Sequence, residues 1–345
     1  MRRRRTAGFA ARIDAFTLRH PKTGFPLAVL YKFFDDQGGY LAALIAYYGF
    51  VSLFPLLLVM TTVLGVVLEH DDALRGRIVD SVLGQIPVVG DQLGDPTGLS
   101  GGFVSVVVGL AGAIYGGLGV AVACQNAMNV IWAVPRNARP NPILVRVRGF
   151  VLLMTVGVAM VGLVTLGIVA SRTHAGRITD LVTLAGTTLL TLGVFVFAFR
   201  FGTARKVSVR DVLAGAVVAS LGWQTLQHFG REYVEQVIAR AGAVTGVFAT
   251  VLGLIAFLYL AAVTVVISME INAVRVDELY PRSLLTEFTD DVVLTPGDER
   301  TYTHLAQAQR NKGFETITVE FCNPLDPEGT NDPLIAERTR RRDDG

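Results

Sequence analysis

Residues 42–58 read AALIAYYGFVSLFPLLL, seventeen residues without a charge, interrupted by Ser52 and Pro55. The apolar run continues to Leu68, so 27 uncharged residues can form a helix of about 40 Å, longer than the roughly 30 Å hydrocarbon core of a bilayer. This is the pattern of a membrane span with a break in it. Pro55 removes one backbone donor and strands a carbonyl one turn earlier. The Ser52 hydroxyl is expected to repair that loss locally rather than to face a cavity, and the Ser52–Pro55 break makes the span a candidate hinge.

Working outward, the 345 residues are 51% hydrophobic and only 17% charged, too little charged surface for a soluble chain with several cores. Uncharged runs place six spans at about 41–67, 103–132, 149–170, 181–199, 212–229 and 245–269. Basic residues alternate between the connecting segments. Eight precede span one (Arg2, Arg3, Arg4, Arg5, Arg12, Arg19, Lys22, Lys32), and four each follow spans two and four (Arg136, Arg139, Arg146, Arg148; Arg200, Arg205, Lys206, Arg210). The other three loops hold two each: Arg75 and Arg77, Arg172 and Arg177, Arg231 and Arg240. By the positive-inside rule this bias places both termini in the cytoplasm.

The expected architecture is an all-α integral membrane protein of six transmembrane helices with an external amphipathic helix and a small cytoplasmic C-terminal appendage. Its parts are a basic cytoplasmic segment at 1–34, a six-helix domain at 35–276 and a polar, partly disordered tail at 277–345. The start MRRRR is followed by alternating apolar and charged residues rather than an apolar run, so it is not a signal peptide. Phe9, Ile13 and Phe16 share a helical face, which suits either a short helix on anionic lipid or a frayed tail. Leu74, Ile78, Val82 and Ile86 repeat every four residues before Pro87, predicting an external helix that serves as a lid on the bundle or as a gate or partner surface. In the tail, Thr295, Pro296 and Asp298 form a helix start leading into 299–310, which Gly313 ends. Ile317, Val319 and Phe321 alternate with polar residues like a half-buried strand.

Polar groups inside spans are costly and are weighed as candidate sites. Gln125, Asn126 and Asn129 stand at the cytoplasmic end of span two, where Asn126 and Asn129 share a face and serve either as interhelical glue or as substrate-lining groups. Glu270 and Asn272 stand at the inner end of span six. Glu270 either pairs with a loop arginine (Arg146, Arg148 or Arg200) or forms a proton or cation site. Gly109, Gly112 and Gly116 in span two allow close helix packing, with Gly112 and Gly116 in a GxxxG pair that fits intramolecular packing or a homodimer seam. His228, Glu232 and Glu235 lie on one face, as surface groups or, with a further ligand, a metal site. Cys124 and Cys322 give no disulfide framework. With no nucleophile elbow, phosphate loop or HExxH motif, no enzyme activity, cofactor or metal is expected, and the basic loops are explained by topology rather than by nucleic acid.

The first-span stretch resembles the signature of the YihY/BrkB family of bacterial inner-membrane proteins, once labelled ribonuclease BN. Further similarity lies in QNAMNVIWAVPR at the end of span two, in VSVRDVLAGAVVASLGWQTLQHFGREYV, and in GVFATVLGLIAFLYLAAVTVVISMEINA, which puts Glu270 and Asn272 in the family's Glu-x-Asn position. The similarity spans about residues 30–282. The chain departs from it at Phe257, at Ser268 and Met269, and at residues 244–246. The resemblance implies residence in the bacterial plasma membrane and roles in virulence or serum resistance and in moving lipid or envelope precursors.

Two functions follow as expectations. One is a transporter or flippase-like facilitator for a lipid or envelope precursor, with Ser52, Pro55, Asn126, Asn129, Glu270 and Asn272 lining the path or forming the hinge. The other is a non-transporting scaffold of envelope machinery. Membrane lipids and a lipid-linked substrate are the expected partners, with a homo-oligomer or an envelope protein left open.

Overall fold

The computed structural model describes residues 16–67, 103–172, 176–233, 243–289, 292 and 294–321. Among them every regular element is helical: a 3-10 turn at Pro21–Gly24, α1 (Phe25–Asp35), α2 (Gly38–Val67), α3 (Phe103–Ile131), a 3-10 turn at Arg136–Ala138, α4 (Pro142–Arg172), α5 (Gly176–Gly202), α6 (Val209–Tyr233), α7 (Ala243–Val276) and α8 (Pro296–Ala308). Among the described residues four helices contain stretches long and apolar enough to cross a membrane: Gly109–Ile131, Pro142–Leu163, Leu184–Gly202 and Phe248–Val276. The described apolar part of α2, Gly38–Leu53, is shorter, and α6 is diluted by Gln224, Thr225, Gln227 and His228. Large apolar side chains such as Val158 and Val161 stand mostly exposed on α4, as a lipid-facing surface requires. The expected external helix at 74–86, the N-terminal 1–15 and the tail beyond Phe321 lie outside the described residues.

The helices run past the apolar limits read from the sequence. α4 starts at Pro142 rather than near 149, and α7 continues to Val276 rather than 269. Hydropathy marks the lipid-buried part of a helix, whereas backbone hydrogen bonding carries the helix on into polar sequence.

The described residues group into two compact units, with the division inside α7 between Asn272 and Ala273. The larger holds 37–67, 103–132 and 140–272. In it α3 lies against α2 along a stripe of small residues. A β-carbon at Gly116 would stand 2.6 Å from Cβ and 2.7 Å from Cα of Ser52, and one at Gly112 would stand 2.9 Å from the Pro55 ring. The GxxxG pair is thus spent on packing within the chain. α6 meets α7 at a second close approach, where a β-carbon at Gly215 would collide with the Ser268 carbonyl.

The smaller unit holds 16–36, 133–139 and 273–321. At its centre Arg282 is 1% exposed. Its Nε donates to Asp298, Nη1 donates to Asp35 at 2.9 Å, and Nη2 reaches the Tyr302 hydroxyl at 3.3 Å and Glu287 at 3.5 Å. Asp298 is the third residue of α8. Its carboxylate also accepts from the backbone N–H of Thr295 at 2.9 Å and of Ser283 at 3.0 Å, while its own N–H donates to the Thr295 hydroxyl. The expected start of α8 is therefore a reciprocal capping box whose acid doubles as the partner of a buried arginine. Nearby, the Tyr31 hydroxyl donates to Leu284 O at 2.6 Å, and Lys32 pairs with Asp36. Burial, then the nearby Asp35 charge, pushes the Glu287 carboxyl above its usual range, against the opposing pull of Arg282.

Two expectations for the tail need correction. α8 ends at Ala308, ahead of Gly313, and the chain then turns with the Glu315 carboxylate accepting from Asn311 N at 2.7 Å and Lys312 N at 3.0 Å. Residues 317–321 form no strand, although Ile317 and Val319 are half-buried between exposed neighbours as the alternation predicted. The period was right, but a strand needs a paired neighbour, and among the described residues there is none.

Candidate functional site

Three of the polar groups singled out in the sequence, Asn129, Gln125 and Asn272, serve the backbone. Asn129, 5% exposed, accepts from the backbone N–H of Ala204 at 2.8 Å, where the chain leaves α5. Gln125 donates to Val145 O at 3.0 Å and so ties α3 to α4. Asn272 accepts from Gly215 N at 2.7 Å and bridges α7 to α6 at their closest approach. Asn126 does not share the buried side of Asn129; it faces outward. Glu270 is wholly buried, one turn from Ala273 and Val274.

Ser52 and Pro55 line the seam with α3 opposite Gly116 and Gly112, while Gly109 is buried on α3. The Ser52 hydroxyl donates to Gly49 O at 2.8 Å. That bond stays within α2, but the carbonyl that Pro55 strands is that of Val51, so the hydroxyl strengthens the turn before the break rather than replacing the lost bond. The structure therefore brings together Ser52, Pro55, Gly112 and Gly116 at one seam and Asn272 with Gly215 at another, and leaves Asn126 apart from both.

A cavity arises elsewhere in the larger unit, between α4, α5 and α6. It encloses roughly 250 Å³ and is lined by Leu163 from α4, Leu184, Thr187 and Thr191 from α5, and Trp223, Gln224, Gln227 and His228 from α6. On α5 these residues fall at i, i+3 and i+7, one face of a helix. The threonines are tolerated there because each hydroxyl donates back along its own helix, Thr187 to Leu184 O at 3.0 Å and Thr191 to Thr187 O at 2.8 Å. Gln224 donates to the Thr188 hydroxyl at 2.6 Å, which joins α6 to α5 at the cavity wall. The Trp223 ring packs edge-on against Phe257 of α7 with centroids 6.0 Å apart.

Of these residues only His228 stands out in the sequence as a candidate ligand. Its imidazole lies 3.4 Å from Glu232, and both are largely exposed. Glu235 falls outside the described residues, and among the described residues no cluster of three or more His, Cys, Asp or Glu side chains could hold a metal. The signal that could have found the cavity is a neutral polar stripe on two successive apolar helices, Thr187 and Thr191 on one and Gln224 and Gln227 on the next.

Long helices, apolar over membrane-crossing lengths in four cases and opened by a cleft of neutral polar groups, define a helical multi-pass membrane protein. The model of the family described as Virulence factor BrkB matches residues 29–286, and the chain belongs to that family. Arg282 falls inside the match and Asp298 beyond it. No curated protein and no solved structure matches the chain.

Proposed function

We propose that the chain is a six-span protein of the bacterial inner membrane, with both termini cytoplasmic, that acts without catalysis as a transporter or flippase-like facilitator for a lipid or envelope precursor. The observation that carries this reading is the cleft between α4, α5 and α6. Hydrogen-bonding side chains placed among apolar helices cost free energy unless they find partners or serve a solute. Asn129, Asn272 and Gln125 are spent on backbone groups between helices, whereas the cleft's Thr187, Thr191 and Gln224 keep their own partners and also border open volume, where the remaining acceptor and donor positions of these groups can meet a solute. The proline in α2 and the glycine seam beside it supply a bendable helix next to rigid ones.

Reconstitution into liposomes tests the proposal. A fluorescent lipid in the inner leaflet should become accessible to an external quencher faster than in protein-free vesicles, and no acceleration for any glycolipid or phospholipid would refute it. A topology reporter fused after Gln92 should report the outer side of the membrane; a cytoplasmic signal there would overturn the six-span orientation.

The scaffold reading is favoured by one observation, the exposed aromatic side chains of the smaller unit, Phe288 and Phe314. Under it, Phe314→Ser weakens association with an envelope partner and leaves lipid movement unchanged.

A further inference from the structure

The cleft's lining is specific enough to name a class of ligand, an inference that rests on the transport reading only for its purpose and not for its geometry. We propose that the cleft binds one neutral, hydroxyl-rich headgroup, a glycosyl or polyol unit, carried on a lipid or free in solution.

Charge is the first consideration. Among the described residues the lining holds no Lys, Arg, Asp or Glu, and its His228 already lies 3.4 Å from Glu232, so a phosphate lacks the guanidinium or ammonium that would compensate its desolvation, and a cationic headgroup finds no carboxylate among those lining side chains. The hydrogen-bonding inventory then sets what the ligand must offer. Thr187 and Thr191 spend their protons on backbone carbonyls, so their hydroxyl oxygens remain as acceptors and call for ligand O–H donors. Gln224 spends one amide N–H on Thr188, and an amide carries a second N–H and a carbonyl oxygen, one donor and one acceptor more. A group that both donates and accepts at several points without charge is a polyol.

The Trp223 ring completes the set. It meets Phe257 in a T-shaped contact, and the indole forms part of the cleft wall, an apolar surface of the kind that C–H faces of a sugar ring cover. Size limits the ligand to one ring. The roughly 250 Å³ falls below the about 300 to 1,000 Å³ of sites that enclose drug-sized molecules. Leu184, more than half exposed at the rim, gives an attached acyl chain an apolar exit.

The test reads binding and needs no transport. The full chain in phosphatidylcholine nanodiscs has two tryptophans, Trp132 and Trp223, and Trp132→Phe leaves Trp223 as the reporter. Brominated-acyl monoglucosyl diacylglycerol should quench Trp223 at a mole fraction at least tenfold below that needed with brominated phosphatidylcholine or phosphatidylglycerol. The paired change Thr187→Val and Thr191→Val, which keeps shape and removes the acceptors, should erase the preference. Photo-crosslinking of a diazirine glucolipid to the unaltered chain should label α5 and α6, and covers the case in which Trp132→Phe disturbs the fold. Competition by free methyl glucoside assigns the soluble sugar, and its failure beside a retained glucolipid preference assigns the lipid-linked form. Equal quenching by all three lipids, a preference for the anionic lipid, or a preference that survives loss of both threonine hydroxyls overturns the proposal. Glucolipid binding without lipid movement keeps the site and removes the transport reading.

Discussion

Gly116→Ala is a small change with a large expected cost. The added β-carbon would stand 2.6 Å from Cβ and 2.7 Å from Cα of Ser52, about 1 Å inside the 3.5 to 4.0 Å optimum for carbon pairs. The obstruction includes backbone, so no side-chain rotation relieves it, and α2 and α3 must separate. A gap of about 0.5 to 1 Å forfeits about a quarter to a half of each dispersion contact along the seam. Overpacking of this kind costs about 1 to 3 kcal/mol, and the involvement of backbone puts Gly116→Ala near 3. Gly157→Ala on α4 is the matched control, since nothing lies within 4 Å of its β-carbon position. There the helix gains up to about 1 kcal/mol from replacing glycine. The two variants should therefore differ by about 4 kcal/mol in unfolding free energy, measured by denaturant titration in one detergent with far-UV circular dichroism. Equal stabilities would refute the close approach of α2 and α3.

Three further expectations concern buried charge. Arg282→Met leaves the carboxylates of Asp35 and Asp298 without their shared cation and should destabilise the smaller unit by about 3 to 5 kcal/mol, read as increased proteolysis of 273–321 before the bundle unfolds. Glu287 has a folded-state pKa above its unfolded one, so the folded form binds the extra proton. Its favourable contribution is full below the ordinary carboxylate range and is lost as pH rises through the raised value. Glu287→Gln should remove that loss, flattening the pH dependence of stability above about pH 4.5 and raising stability near neutrality; a steeper profile would contradict the assignment. Glu270→Gln, at a wholly buried position on α7, is expected to abolish complementation of a deletion strain at unchanged protein level, and full complementation would remove Glu270 from transport.

Much of this fold is legible in the sequence because a bilayer imposes length and apolarity together. Apart from the start of α4 and the end of α7, the helix limits lie within about five residues of the uncharged runs, and the Thr295–Asp298 pair announces α8 by its capping chemistry. What escaped has identifiable causes. Arg282 follows the last span, where a basic residue reads as a topology charge; its burial depends on Asp35, which is 247 positions away in sequence. Asn126 and Asn129 have the spacing of one helical face, yet the packing boundary of α3 passes between them. The cleft was hidden because no single helix carries it. Two threonines in α5 and two glutamines in α6 are each unremarkable in isolation, and only the antiparallel pairing of these helices, marked by Gln224 on Thr188, brings them to one volume.

The most direct measurement of the central claim compares lipid movement by the unaltered chain and by the Thr187→Val, Thr191→Val double variant in the same liposomes at matched protein density. The account predicts that a fluorescent glucolipid crosses rapidly with the unaltered chain and at the protein-free rate with the variant, while both proteins show the same helix content. Equal rates for the two proteins would contradict it, because the cleft between α4, α5 and α6 would then not be on the path.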